Sequence, residues 1–190
     1  MTEHAYDANW SSDVLKFWFS ELEPKQWFVK SERTDALIRE RFLDVHTSIK
    51  GKPASMFLDN ALKVLAAVIV LDQFPRNMFR DTPAAFADDA QALDIAKKAV
   101  ELGFDRQLPD EQRIFLYLPY EHSEDLADQD QAVALIANMG NENYTDYAEA
   151  HRDIIRQFGR FPHRNAILGR PSTPEEEAFL RPDSNKRNRF

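Results

Sequence analysis

From Val64 to Leu71 the sequence reads VLAAVIVL, with no polar side chain anywhere in the run. A helix that is apolar all round cannot leave a face in water, so it forms the buried centre of its fold. Period-2 alternation is sustained nowhere along the chain, and glycine occurs only 5 times in 190 residues. The expectation is an all-α protein of about seven to eight helices with Val64–Leu71 at its core. The run is far short of the roughly 20 residues that span a bilayer, so no membrane partner is expected.

Start and stop signals divide the rest. Ser11 and Ser12 can cap a first helix to about Ser20, which Pro24 ends. A second helix from Ser31 to Ile49 carries Ile38, Phe42, Val45 and Ile49 at helical spacing and stops at Gly51. The apolar helix is expected over Asp59–Asp72 with Pro75 breaking it, and a fourth over Asp88–Leu102 with Asp88 as its cap. A short fifth ends at Pro119, a sixth covers Ser123–Met139, a seventh Asn141–Phe158, and Thr173-Pro174 opens a last one reaching Leu180. One domain is expected over residues 1–182, followed by a polar tail over 183–190.

Charge narrows the function classes. Lys plus Arg number 24 against 32 Asp plus Glu, a net charge of −8. Nothing broadly basic is available to neutralise phosphates, so a nucleic-acid partner is not expected. The absence of cysteine removes thiol nucleophiles, disulfides and thiolate metal sites. Met1–Asp13 has acidic residues and no apolar stretch of the signal-peptide type, so a cytoplasmic setting is expected. The balance is uneven: residues 151–190 carry 9 basic against 5 acidic residues, whereas residues 1–150 carry 15 against 27.

The sequence also echoes itself. Phe74-Pro75-Arg76-Asn77 returns as Phe161-Pro162-His163-Arg164-Asn165, each after a long helix. An apolar pair follows each, Met78-Phe79 and Ile167-Leu168, and then a Thr-Pro helix start at Thr82 and Thr173. This shared order suggests a two-fold pseudo-repeat with the stacking logic of helical-pair arrays. The segments LDQFPRNMFR, LPYEHSEDLADQ, HRDIIRQFGRFPHRNAILGR and STPEEEAFL resemble a bacterial family of unknown function with a TPR-like all-helical fold. The resemblance runs from about Val14 to Leu180. It implies stacked helical pairs and brings no activity and no assigned catalytic residue.

Three constellations could carry chemistry. Asp72, at the end of the apolar helix, meets the unfavourable end of the macrodipole and needs a cation, for which Arg76 and Arg80 are nearest. It is either a structural ion pair or the floor of a site. Glu121-His122-Ser123-Glu124-Asp125 reads as an acidic helix start, in which His122 between carboxylates suits a proton carrier or an anion contact. A metal there is not expected, because the spacing puts no two ligands on one helical face. His151 falls on an apolar stripe with Tyr144, Tyr147, Ile154, Ile155 and Phe158, where a buried neutral histidine is the simplest reading. Arg152, Arg156, Arg160 and Arg164 recur every four residues, and between residues 99 and 185 every basic residue is arginine. Like charges at that spacing repel, so something anionic should face them: Glu121, Glu124, Asp125 and Asp128, or a ligand.

Two function classes follow. In the first, a small anionic ligand is bound, or acted on, at a polar site built from the two FP-RN turns and the EHSED segment. His122, His163 and Asp72 are the candidate catalytic residues, and Arg76, Asn77, Glu121, Glu124, Arg160, Arg164 and Asn165 hold the ligand, with no cofactor and no metal. In the second, a TPR-like array presents a groove to a peptide or protein partner.

Overall fold

The computed structural model describes residues 9–181. The expected tail over 183–190 and most of the acidic N-terminus lie outside the described residues. Among those residues every regular element is helical. They form two compact units: one from residues up to Arg80 together with Ala84–Pro119, the other from Asp81–Pro83 together with residues from Tyr120 onward.

In the first unit, α1 (Trp10–Lys16) starts at Trp10, so Ser11 and Ser12 lie within its first turn instead of capping it. It widens into a π-helical turn, Phe17–Glu21. α2 (Glu32–Ile49) begins as expected, with the Ser31 hydroxyl accepting from the Thr34 amide at 3.2 Å. α3 (Ala61–Val68) is capped by Asn60, whose side-chain oxygen accepts from the Lys63 amide at 3.0 Å. Every residue from Val64 to Leu71 is at 0% exposure, the burial that an all-apolar helix demands.

Pro75 does not break this helix. α3 passes through a second π-helical turn, Ile69–Gln73, into α4 (Phe74–Met78), and the Phe74 amide reaches back to the Ile69 carbonyl. The five-residue register frees the backbone just where proline has no N–H to give, and the helix continues. Asp72 therefore sits inside a helical path and not at a helix end.

α5 (Asp89–Glu101) follows Asp88, whose carboxylate makes no capping bond because it is engaged by His46 at 2.8 Å and Lys50 at 3.1 Å. α6 (Asp110–Glu121) carries Pro119 internally and ends two residues beyond it. α3 packs on α1 and α5, and α2 on α4. Aromatic rings close this core: Phe17 lies 5.1 Å from Phe42, Trp18 5.6 Å from Phe74, and Trp27 5.2 Å from Phe115, between centroids. Contacts of this kind add about 0.5–1.5 kcal/mol each beyond area burial.

In the second unit, α7 (Leu126–Ala137) and α8 (Glu142–Phe158) pack on one another as a helical pair. Asn141 caps α8, and Gly159 ends it at φ 68°, a left-handed position that costs glycine least. α9 (Pro174–Phe179) opens with a capping box between Thr173 and Glu176. Among the described residues no helix is long and apolar enough to cross a membrane.

Candidate functional site

The two echoing turns fold differently and still share a device. Phe74-Pro75-Arg76-Asn77 is helical, whereas Phe161 is extended and Pro162–Arg164 forms a 3-10 turn. In each, an asparagine amide and an arginine fork grip one carboxylate. Asn77 donates to Asp35 at 2.7 Å, and Arg80 closes on the same carboxylate with two bonds of 2.8 Å. Asn165 donates to Glu176 at 3.1 Å, and Arg160 closes on it with bonds of 2.6 and 2.8 Å. Glu176 is 2% exposed, and the Arg160 fork holds its carboxyl down to about 2.

Around the first turn the charges are matched within the first unit. Arg76 lies 3.4 Å from the Asp72 carboxylate, donates to the Asp72 carbonyl at 2.5 Å, and forks onto Asp89 at 2.8 and 3.0 Å. Burial disfavours the Arg76 guanidinium, yet Asp72 and Asp89 outweigh it and raise its pKa. Gln73 adds a bond of 2.6 Å to Asp72. Asp72 thus has the setting of a structural ion pair that fastens α3 to α4.

The second unit gathers His122, His151 and His163. The segment 122–125 is a turn between α6 and α7, not the helix opening that its acids suggest. Gln129 is the cause: its side-chain amide, at 0% exposure, donates to the carbonyls of Glu121 at 2.7 Å and Ser123 at 2.6 Å and pulls the backbone out of helix. Asp125 caps α7 through the Ala127 amide at 2.8 Å, and Asp128 accepts from the Ser123 hydroxyl at 2.8 Å. Glu124 turns the other way. It accepts from the Phe161 amide at 2.8 Å and takes the Arg170 fork at 2.7 and 2.9 Å. Burial opposes the Glu124 charge, and Arg170 and the Phe161 amide lower its pKa nonetheless.

Phe161, at 0% exposure, is the hub. The Arg164 guanidinium lies over its ring at 4.6 Å, and the His151 and His163 rings stand 5.7 and 5.5 Å from it. Arg164 is tied to the EHSED turn by a 3.0 Å bond from its Nη2 to the His122 carbonyl. His151 Nδ1 lies 2.9 Å from the Tyr147 carbonyl and 3.1 Å from a Glu121 carboxylate oxygen. Both neighbours only accept, so Nδ1 carries the proton and Nε2 is left as the basic nitrogen. Burial holds the His151 imidazolium down to about 4, the Tyr147 carbonyl pulling the other way and the charges of His122 and Arg164 adding to it. The Glu121 carboxylate also opposes this, so the downward direction rests on burial. Burial, then Arg164 and His151, push His163 down to about 3.

Two imidazoles and a guanidinium therefore meet on one aromatic ring, with His151 and His163 neutral at neutral pH. The second unit brings together His122, His163, Glu121, Glu124, Arg160, Arg164 and Asn165 from the residues expected at the site. Asp72, Arg76 and Asn77 lie in the first unit. The periodic arginines are matched largely by acids outside the EHSED segment: Arg156 meets Asp130 at 2.8 Å, and Arg152 meets Glu149 at 3.4 Å. Phe161, Gln129, Arg170 and Glu176 were not legible as parts of this cluster. Only the Tyr147-to-His151 spacing, one helical turn, signals the carbonyl that fixes the His151 tautomer. Tyr147 itself is 47% exposed and does not join the apolar stripe. Among the described residues no group of three or more carboxylates or histidines is arranged to hold a metal.

The comparisons agree with this architecture. Residues 14–183 match the family described as bacterial protein of unknown function, DUF924. The chain belongs to that family. It is also similar to a solved protein of unknown function, ATU0120 from Agrobacterium tumefaciens, at 40% sequence identity and a TM-score of 0.85, over 90% of this chain and 96% of that one. No curated protein matches.

Proposed function

We propose that this DUF924 protein binds a small phosphate- or carboxylate-bearing molecule in its second unit, at the cluster of His122, His151, His163 and Arg164. One observation carries the reading: the Arg164 guanidinium and the His151 and His163 rings converge on Phe161, with the His122 carbonyl bonded to Arg164, inside a frame locked by the Glu124–Arg170 and Arg160–Glu176–Asn165 networks. Buried polar groups held in fixed geometry are what ligand orientation needs, and a guanidinium beside neutral imidazoles suits an oxyanion. Glu121 orients His151 so that its Nε2 can take a proton from a bound molecule or from water, the general-base half of acid–base chemistry. His163 is the second neutral base at hand. Asp72, Arg76 and Asn77 enter as the brace of the first turn.

The test is thermal stabilisation by inorganic phosphate and by citrate against chloride at matched ionic strength. A site at a hundred times its dissociation constant gains about 2.7 kcal/mol, visible as a melting shift. The reading expects that shift in wild type and its loss in Arg164→Lys, which keeps the charge and loses the planar fork. Equal stabilisation of both proteins, or none of either, would count against it.

A further inference from the structure

We propose that the cleft between the end of α8 and the start of α9 binds a guanidinium group, carried by free arginine or by an arginine side chain of a peptide. The cleft has a volume of about 500 Å³ and is lined by Gln157, Phe158, Arg160, Thr173, Glu175 and Glu176, all of the second unit. That is room for a ligand of amino-acid size. None of the groups gathered on Phe161 is in this lining, and the ligand has the opposite charge to the one proposed there.

The charges of the lining decide the sign. Arg160 commits Nε and Nη2 to Glu176 at 2.6 and 2.8 Å, and Nη2 also to the Pro171 carbonyl at 2.9 Å. Glu176 takes in addition the Asn165 side chain at 3.1 Å and the Thr173 amide at 2.8 Å. This pair sums to zero. Glu175 is different: it is exposed, and it meets no cation among the described residues. The lining therefore carries one net negative charge. An anion entering it would meet a guanidinium already neutralised, beside a carboxylate that repels it.

The aromatic wall decides which cation. Phe158 is half-buried, with Phe179 on it at 5.0 Å between centroids, and it lines the cleft. A guanidinium is planar, stacks on an aromatic face, forks onto a carboxylate and sheds its weakly held water more readily than an ammonium does. The protein makes the same contact internally, where Arg164 lies over Phe161 at 4.6 Å and Arg76 over Phe86 at 5.6 Å. The remaining polar groups suit the rest of the molecule. Arg160 Nη1 and the Gln157 side-chain amide donate to nothing among the described residues, and the Thr173 hydroxyl only accepts, from the Glu176 amide. All three can donate to a carboxylate or a peptide carbonyl.

The probe is L-arginine, titrated at pH 7 into the full nitrogen-15-labelled chain and read by backbone amide shifts. A water-exposed ion pair and one ring contact are individually weak, so the titration runs to about 20 mM. Saturable shifts are expected at Gln157, Phe158, Thr173 and Glu175. Citrulline, which has arginine's shape with a neutral urea in place of the guanidinium, should leave them unmoved. Glu175→Gln removes the charge and leaves the Thr173–Glu176 capping box, and it should raise the dissociation constant about fivefold. Phe158→Leu keeps an apolar side chain and should weaken binding by a similar factor, with circular dichroism confirming the fold. Nα-acetylarginine amide separates the sources: binding no weaker than arginine identifies a peptide side chain, and weaker binding identifies the free amino acid, held also by its carboxylate. No saturable shift with arginine, equal shifts with citrulline, or an unchanged dissociation constant in Glu175→Gln would overturn the proposal.

Discussion

Acidification from pH 7 to pH 5 should destabilise the protein through His151 and His163. Both imidazolium pKa values are lowered on folding, to about 4 and about 3, from 6.5 in the unfolded chain. The unfolded chain therefore takes up these protons first. Stability is complete above about pH 6.5 and falls as pH drops through that value, levelling off only below the folded values. At pH 5 each histidine costs about 2 kcal/mol, roughly 4 kcal/mol together, with the Glu121 charge trimming the share of His151. The lowered carboxylates act elsewhere: Glu124, Glu176, Asp35 and Asp88 give up their stabilisation only as pH falls below the ordinary carboxylate range. Urea unfolding followed by far-ultraviolet circular dichroism at pH 7, 6 and 5 reads the effect. With a slope of about 2 kcal/mol per molar urea, the midpoint should drop by up to about 2 M. Tryptophan fluorescence alone would not suffice, since Trp10, Trp18 and Trp27 all belong to the first unit. In a His151→Asn/His163→Asn protein the loss between pH 7 and 5 should shrink to a small remainder. An equal loss in that variant, or a flat profile in wild type, would refute the assignment of these rings as buried and neutral.

Other perturbations have defined outcomes. Leu65→Ala should cost about 2–5 kcal/mol of unfolding free energy, because a fully buried leucine leaves a cavity at the centre of α3. Gln129→Ala should cost about 1–3 kcal/mol by freeing two buried carbonyls of the EHSED turn, and amide hydrogen exchange should show 121–125 opening. Gly159→Ala should cost about 1 kcal/mol from the left-handed backbone alone, since nothing lies within 4 Å of the added methyl.

What the sequence made legible follows the range of the physics involved. The all-apolar run, the Ser31, Asn141 and Thr173 caps and the Gly159 stop depend on neighbours a few residues away, and each lies where its local chemistry puts it. The errors come from long-range competition. Asp88 looks like a cap, but His46, 42 residues earlier, takes its carboxylate. The 122–125 acids look like a first helical turn, but a glutamine one turn into the next helix collects their carbonyls. Pro75 looks like a stop until a π-helical turn shifts the register before it. The site was half legible for the same reason. The arginines and histidines announce themselves by type, whereas Phe161 as their meeting point, and Arg170 as the partner of Glu124 across 46 residues, depend on the folded path.

The account stands most directly on whether an oxyanion reaches the rings around Phe161. Histidine ring resonances, recorded by nitrogen-edited magnetic resonance during titration with inorganic phosphate at pH 7, test this residue by residue. His46, paired with Asp88 in the first unit, serves as the internal reference. The account predicts saturable shifts at His151 and His163, with His46 unmoved. Shifts of equal size at all three rings, or none at His151 and His163, would contradict it.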